Sequence, residues 1–273
     1  MYEAADPQGL SSSSADAPWA ALSTELDYWS ADGRTATFWW RDDDAERPTA
    51  ALDQLIGLSD RFGAPLHLAA VPKGVGPELA ARLDPCKQVF VLQHGFAHIN
   101  HEPKGKRASE VGVTRDLQSQ ITDLQAGWEL LLAAKLPNLL PVVVPPWNRI
   151  APRTVQVLPQ LGYQMVSAFD PRPSATTAEG LLEVNCHIDP VRWKEGAVFR
   201  GTDKTLQQAV SHLAARRTGQ ADRQEPTGFL THHLQTDAAT WDFAEALLDR
   251  LTGVGGGTWI TLASLLKQGH AHG

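Results

Sequence analysis

Short apolar runs alternate with amphipathic stretches along most of the chain. Several of these runs are nearly continuous, which is typical of parallel strands that are covered on both faces. Helical patterns lie between them. One begins near Pro48 and stops at Gly63, the longest has Ser109 as its expected N-cap, and two later ones end at glycine. We predict strands over residues 35–41, 66–71, 89–94, 141–145, 164–169, 182–188, 228–234 and 258–262.

The order of these elements predicts the architecture. A strand followed by a helix, repeated seven or eight times over about 230 residues, is typical of a β/α barrel. We therefore predict an α/β protein with a single distorted (β/α)7–8 barrel over residues 31–270, after a flexible N-terminal tail and lead-in over residues 1–30. An open, doubly wound sheet is the alternative, but no glycine-rich phosphate loop follows any predicted strand.

Composition and charge narrow the class of protein. The 273 residues, 42% of them hydrophobic, are enough for one large domain with a well-filled core. A net charge of -7 without a basic run argues against a nucleic-acid partner. Cys86 and Cys186 form neither a CxxC motif nor a disulfide framework, which fits a reducing compartment.

No apolar run reaches the length of about 18 residues that a membrane span needs, and the first residues lack signal-peptide features. We therefore expect a cytoplasmic protein; its oligomeric state stays open.

Aspartates and histidines are concentrated where the predicted strands end. Asp42, Asp43 and Asp44 follow the first strand, and His94 ends the third. Because the carboxyl ends of barrel strands converge on one mouth, side chains that are distant in sequence can meet there. The remaining candidates at or just after strand ends are His98, His101, Trp147, Asn148, Arg149, His187, Asp189, His232 and His233.

The residue types at these positions suggest metal chemistry. Three consecutive aspartates repel one another, so a cation or an arginine has to compensate them at a barrel mouth; a solvated acidic turn or a helix N-cap is the alternative. His94 and His98 share a face if both lie on one helical turn, and neutral imidazoles there can bind one ion. Two unrelated surface histidines are the alternative.

Two further segments suggest a substrate pocket. Trp147 offers a flat apolar face of the kind on which sugar rings stack, although a packing loop is the alternative. His232 and His233 alternate in direction if both lie on a strand, so we expect one of them to face the barrel lumen and the other to face outwards.

Taken in order, five segments resemble the motifs of the polysaccharide deacetylases of carbohydrate esterase family 4, the NodB-like deacetylases. The segments are WWRDDDA (39–45), HGFAH (94–98), VPPW (144–147), HIDPVRW (187–193) and FLTHH (229–233). Three features depart from the family, and one of them is the fourth segment, which has His187 and Asp189 in a divergent arrangement. Val144 stands where the family has the arginine that pairs with its base aspartate, so Arg41 or Arg149 would have to supply that charge. Gly95 replaces a serine or threonine.

The resemblance implies a metal-dependent hydrolase that removes N-acetyl or related acyl groups from a carbohydrate or glycan precursor. By position, Asp43 resembles the general base, and Asp44, His94 and His98 resemble the metal ligands, although Asp42 leaves this register uncertain by one. His232 resembles the catalytic acid, with His233 as the alternative. Zinc is the first choice of ion, and cobalt, nickel, manganese or iron would also suit this ligand set. The expected substrate contacts are Trp147, Asn148, Arg149, Arg41, His101, His187, Asp189 and His233.

Two other functions stay open at this point. The same site could hydrolyse the amide of an N-acylated small molecule that is not a sugar. The departures from the family could also mark an inactive carbohydrate-binding relative.

Overall fold

The structure is a computed structural model, and it describes residues 17–194, 196–253 and 255–270. The strands within these residues are β1 (Thr37–Ala45), β2 (Leu66–Ala70), β3 (Val89–His94), β4 (Leu139–Val144), β5 (Met165–Val166), β6 (Thr176–Ala178), β7 (Leu181–Glu183), β8 (Val191–Arg192), β9 (Val198–Phe199), β10 (Thr227–Thr231) and β11 (Thr258–Trp259). The α-helices are α1 (Ala17–Ala31), α2 (Ala50–Phe62), α3 (Pro77–Leu83), α4 (Leu117–Ala133), α5 (Pro152–Val157), α6 (Thr202–Thr218), α7 (Ala238–Thr252) and α8 (Leu262–His270).

The strands form a curled, mostly parallel sheet. Seven of them lie in the order β10-β1-β2-β3-β4-β5-β7 with parallel neighbours, β6 adds an antiparallel edge to β7, and β11 pairs with the beginning of β1. The segment after β7 continues to β10, because the Ile188 carbonyl accepts a hydrogen bond from Leu230 N and Ile188 N donates to Gly228 O. The barrel is thus joined at the carboxyl end of β7, and the predicted distorted β/α barrel is confirmed.

Helix boundaries follow their caps. The Thr49 side chain accepts a hydrogen bond from Leu52 N at the start of α2, and Gly63 ends that helix with a φ of 61°. The prediction that Ser109 caps the longest helix is wrong. That helix, α4, begins at Leu117 behind the Asp116 cap, and the Ser109 hydroxyl donates to Arg149 O instead. Residues 95–116 are consequently a long loop beside the barrel mouth.

Strand β1 extends four residues beyond its predicted end and includes the whole aspartate run. Side chains alternate along it. Trp39 points into the barrel interior, where it packs with Leu92, Val144 and Leu230. Trp40 lies in the layer between the sheet and the helices. The acidic end of the strand is buried because its carboxylates have partners within the fold.

The amino-terminal part of the described chain is helical. Helix α1 packs against α6 through Leu22 and Trp29, and Glu25 forms an ion pair with Arg217 at 2.7 Å. The predicted lead-in is therefore a helix from residue 17 onwards, and the predicted tail over residues 1–16 lies outside the described residues. The domain boundaries stay predictions. Within the described residues, no helix combines the length and the hydropathy needed to cross a membrane.

His67 of β2 is a buried histidine that is held neutral. Its Nδ1 faces Trp40 O at 2.9 Å and its Nε2 accepts a hydrogen bond from Leu262 N at 3.0 Å. A carbonyl can only accept, so the proton lies on Nδ1, and both ring nitrogens are satisfied by the neutral form. Burial lowers the pKa of His67 from 6.5 to about 4.

We expect His67→Gln to flatten the pH dependence of stability. The unfolded chain takes up the His67 proton near pH 6.5 and the folded chain only near pH 4, so stability is lost as the pH falls between these values. Between pH 7 and pH 5 this histidine lowers the free energy of unfolding by about 2 kcal/mol. Gln can donate to Trp40 O and accept from Leu262 N without titrating.

Urea unfolding at both pH values measures this effect. The pH-dependent loss should shrink by about 2 kcal/mol in His67→Gln. It should stay as in the parent protein in the control His101→Gln, because His101 is exposed. If His67→Gln lost as much stability between pH 7 and pH 5 as the parent protein, the attribution of this loss to the buried, neutral His67 would be wrong.

Candidate active site

A backbone irregularity turns two neighbouring aspartates towards the same cavity. Regular alternation would point Asp43 and Asp44 to opposite faces of β1. Asp44 instead has a φ of 71°, and the pairing of β1 with β2 shifts register between Asp42 and Ala45. Such a bulge re-aims a side chain. Both carboxylates therefore line the cavity at the carboxyl ends of the strands.

Asp44 lies against His94 and His98. Its Oδ1 is 3.2 Å from His94 Nε2 and 3.3 Å from His98 Nε2. The expectation that the two histidines share a helical turn is wrong. His94 ends β3, and His98 lies in the following loop with a φ of 54°. They nevertheless converge, and their ring centroids are 5.2 Å apart.

A buried glutamate holds the loop that presents His98. The Glu110 carboxylate accepts hydrogen bonds from the backbone N–H groups of Phe96, Ala97 and Ile99 at 2.8–3.1 Å. A Cβ atom at Gly95 would lie 2.0 Å from Glu110 Oε2, and Gly95 also has a φ of 55°. The glycine that departs from the family motif is thus required by this carboxylate. Sequence reasoning missed Glu110, since a single acid in a loop carries no pattern.

The backbone sets the tautomer of His94 so that its free nitrogen faces Asp44. His94 Nδ1 lies 3.0 Å from Val144 O, which can only accept, so Nδ1 carries the proton. In the neutral ring, Nε2 is then a lone pair directed at the Asp44 carboxylate. Asp44 Oδ1 has no hydrogen-bond donor among the described residues. Facing lone pairs of this kind need a proton or a metal ion between them.

The charges around Asp44 favour the ionised form of its carboxyl group. Burial acts to raise the pKa of Asp44, but the close contact with His94 and the charge of that ring, with smaller contributions from His232 and His98, hold this pKa well below its usual range. Burial lowers the pKa of His98, and the neighbouring His94 lowers it further. Ligands of a tetrahedral zinc ion lie about 3.3 Å apart, which matches the two Asp44–histidine distances. The three side chains therefore fit a divalent metal ion.

Arg41 supplies the positive charge that the family places elsewhere. Its Nε lies 2.9 Å from Asp43 Oδ1 and its Nη2 donates to Asp43 Oδ2 at 3.1 Å, with both side chains buried. Ser167 and Asn148 accept further hydrogen bonds from the same guanidinium. Of the two arginines left open by the sequence, the structure selects Arg41, whereas Arg149 donates to Ala108 O. The assignment of Arg41 as a substrate contact is corrected, because its side chain is fully buried.

His232 faces the same cavity from the other side. Its Nε2 lies 3.9 Å from Asp43 Oδ2, and the ring of Trp193 meets its ring at 75° with centroids 4.5 Å apart. Asp189 accepts a hydrogen bond from Trp193 Nε1 at 2.9 Å and so holds that tryptophan in place. Asp189, Trp193 and His232 form one wall of the cavity.

His233 has a different environment. β10 ends at Thr231, so both histidines lie beyond the strand rather than on it. His233 Nδ1 is 2.5 Å from Asp42 Oδ1, and Asp42 also accepts from Thr231 Oγ1 and His233 N. Burial alone would lower the pKa of His233, but Asp42 raises it. His233 does not line the cavity, and its predicted substrate contact is corrected.

The cavity has a volume of about 440 Å³. It brings together nine of the predicted residues, and four further residues were not identified from the sequence. The predicted ones are Asp43, Asp44, His94, His98, Trp147, Asn148, Arg149, Asp189 and His232, and the missed ones are Arg107, Phe169, Asp170 and Trp193. His101 does not line it, since it lies exposed in the loop after β3.

His187 is likewise absent from the cavity, and its predicted substrate contact is corrected. It is buried beside His212 and Glu225, a second group of metal-binding residue types. Its Nδ1 accepts a hydrogen bond from Gly228 N at 2.9 Å, so Nε2 carries the proton and faces Glu225 Oε2 at 3.5 Å. The His187 and His212 rings stack with planes 11° apart and centroids 3.4 Å apart, so no ion can lie in both ring planes. This second group is therefore unsuited to a metal.

Comparisons with known proteins agree with this architecture. No protein-family model and no curated protein sequence matches the chain. Among solved structures, a candidate polysaccharide deacetylase from Mycobacterium smegmatis is similar with a TM-score of 0.66 and 14% identity, over 88% of this chain and 92% of that one. A family 4 carbohydrate esterase from Streptomyces lividans in complex with acetate has a TM-score of 0.51 and 13% identity, over 82% and 91% of the two chains.

A third similar structure is a family 4 pseudoenzyme from Bacillus anthracis. It has a TM-score of 0.56 and 12% identity, over 85% of this chain and 66% of that one. At identities this low, such likenesses establish the fold alone. The fold is that of the carbohydrate esterase family 4 polysaccharide deacetylases, so the resemblance inferred from the motifs is confirmed at the level of the fold.

We expect Arg41→Met to destabilise the protein because it leaves the Asp43 carboxylate buried without a cation. Removing one partner of a buried ion pair costs about 3–5 kcal/mol. Adding Asp43→Asn removes the orphaned charge, so the double variant Arg41→Met/Asp43→Asn should recover part of this loss. Urea unfolding of the two single variants and the double variant measures the coupling. Strictly additive losses would show that the pair contributes nothing as a pair.

Proposed function

We propose that this protein is a metal-dependent hydrolase that removes an N-acetyl or related acyl group from a carbohydrate or glycan precursor. The proposal rests on one observation: Asp44, His94 and His98 converge in a cavity that Asp43 and His232 also line. A candidate metal site, a carboxylate and an imidazole within one cavity are the groups that metal-assisted amide hydrolysis uses.

Asp44, His94 and His98 would hold the metal ion. A divalent ion there supplies a Lewis acid that polarises the amide carbonyl and makes a water molecule more acidic. Zinc suits two imidazoles and one carboxylate with positions left open for substrate. Cobalt, nickel, manganese and iron suit the same ligands.

Asp43 is proposed as the general base. It adjoins Asp44 in sequence and lines the same cavity, so it would border a water molecule at the metal site. The ion pair with Arg41 fixes the orientation of the carboxylate and compensates its charge inside the barrel. A base that is held in position can accept the proton of the attacking water.

His232 is proposed as the general acid. Its Nε2 lies 3.9 Å from Asp43 Oδ2, so both proposed proton-transfer groups border the same part of the cavity. Trp193 packs against the ring and limits its rotation. In this arrangement His232 protonates the departing nitrogen after the tetrahedral adduct forms.

The walls of the cavity favour a sugar over other amides. Trp147 lies beside His98, with ring centroids 4.3 Å apart, and Trp193 lies on the opposite wall beside His232. Flat aromatic faces next to hydrogen-bonding groups suit a pyranose ring. The Arg41–Asp43 pair also weakens the case for an inactive relative, because the charge missing at Val144 is supplied from β1.

We expect His98→Ala to lose its metal. With two of three ligands left, zinc should fall from about one ion per chain to a small fraction after dialysis, as measured by mass spectrometry of the metal. His101→Ala is the matched control, since His101 lies three residues away in the same loop but outside the cavity. Full zinc occupancy in His98→Ala would refute the ligand assignment.

We expect Asp43→Asn to keep zinc but to release acetate from N-acetylated sugar oligomers at least about 100-fold more slowly, because the amide cannot accept a proton. Enzymatic assay of released acetate provides the measurement. Unchanged turnover would refute the role of Asp43. If the zinc-loaded parent protein released acetate from no sugar but hydrolysed simple amides, the substrate class would be wrong and the site right.

A further inference from the structure

A second cavity lies at the opposite end of the barrel from the candidate active site. It has a volume of about 900 Å³. Its walls include Thr37 at the start of β1, Leu182 of β7 and Ile260 just after β11. β7 is joined to the β10 side of the barrel only beyond its carboxyl end, through Ile188. The amino ends of these strands are therefore left apart, and the cavity occupies that space.

Four arginines line this cavity and, among its described lining residues, no acidic one does. They are Arg34, Arg172, Arg216 and Arg223. Arg34 and Arg216 both contact the Trp29 ring, each with its guanidinium carbon 4.8 Å from the ring centroid. Burial is the main reason why the pKa of Arg216 is lowered to about 10; the charges of Glu225 and Asp222 act to raise this pKa, and those of Arg172 and Arg34 act to lower it.

The nearby carboxylates compensate these charges incompletely. Arg34 pairs with Asp32 at 2.7 Å and Arg172 pairs with Asp222 at 2.8 Å, both from outside the lining. Glu225 lies behind them, where it accepts backbone hydrogen bonds from Asn185 N and Arg172 N.

Two of the four guanidiniums keep unused donors. Arg216 is 1% exposed, and its Nε has no hydrogen-bond partner among the described residues. Arg223 is exposed and forms no ion pair with any residue in the described ranges. A buried, unsatisfied donor beside a surplus of positive charge is costly unless an anion supplies the acceptor.

Part of the remaining lining is apolar, and Thr35, Thr37, Gln224, Ser264 and Gln268 add polar side chains to it. Leu182, Val184, Ile260 and Leu265 contribute side chains, and the apolar lining continues at Trp29. A cavity of this volume is in the range that holds a small organic ligand. The combination of guanidiniums and an aliphatic wall matches a molecule with an anionic head and a hydrocarbon body.

We propose that this cavity binds an amphiphilic anion, with a phosphate or carboxylate head held by Arg34, Arg216 and Arg223 and a hydrocarbon body against Leu182, Ile260 and Leu265. Guanidiniums bind both head groups through paired N–H donors. The site is separate from the metal ligands, which lie at the carboxyl ends of the strands.

Calorimetric titration with octyl phosphate, octanoate and octanol tests this proposal. Either anionic probe should bind, and the tighter of the two identifies the head group, whereas octanol should bind at least about tenfold more weakly. Arg223→Gln should weaken the binding of the anionic probe about tenfold, because it removes a charge-assisted hydrogen bond to the head group without disturbing an ion pair. Arg61→Gln on α2 is the matched control and should bind as the parent protein does.

The His98→Ala variant separates this site from the proposed active site. Phosphate can ligate a metal ion, so binding at the active site would be lost together with the metal, whereas binding at the arginine cavity should persist. Equal binding of octanol, an unchanged affinity in Arg223→Gln, loss of binding in His98→Ala or no binding of either anion would each overturn the proposal.

Discussion

The buried acidic end of β1 is the constraint on which the candidate site depends. Three consecutive carboxylates are folded into the mouth of a barrel, where two like charges about 4 Å apart repel by about 4 kcal/mol at a moderate effective dielectric. Each has its own compensation. Asp42 is held by Thr231 and His233, Asp43 by Arg41, and Asp44 by His94 and His98. The bulge at Asp44 turns its carboxylate into the cavity that Asp43 also lines, where His94 and His98 lie against it.

Backbone hydrogen bonds decide which histidines can act as ligands. His94 and His187 each lie near a carboxylate and a second histidine. His94 Nδ1 donates to a carbonyl, which leaves Nε2 as a lone pair, whereas His187 Nδ1 accepts from an N–H, which leaves Nε2 protonated. The same residue types therefore give a candidate metal site in one place and a hydrogen-bonded core group in the other.

The sequence predicted the barrel and most of the site because both depend on local patterns. Apolar runs mark the strands, and residues at strand ends converge in any barrel. The sequence does not reveal those residues whose role depends on tertiary contacts. The predicted first strand ends at Arg41, before the aspartates, yet these aspartates belong to β1 and have partners inside the fold. Glu110 lies in a loop that carries no periodic signal, and Trp193 ends the divergent fourth motif, whose sequence does not show that this ring faces the cavity. The end of a strand also does not reveal whether a side chain such as His187 faces the cavity or the helices.

The position of Arg41 has a consequence for how the family motif is interpreted. A guanidinium two residues before its aspartate on the same strand lies on the same face, so the ion pair is set by strand geometry. An arginine from β4 would depend on the register between distant strands. With Val144 in that place, β4 contributes an apolar side chain to the barrel interior, beside Trp39 and Leu92. The positive charge beside Asp43 thus comes from β1, and the barrel interior stays filled. The departure from the motif is therefore compatible with the catalytic roles proposed for Asp43 and His232.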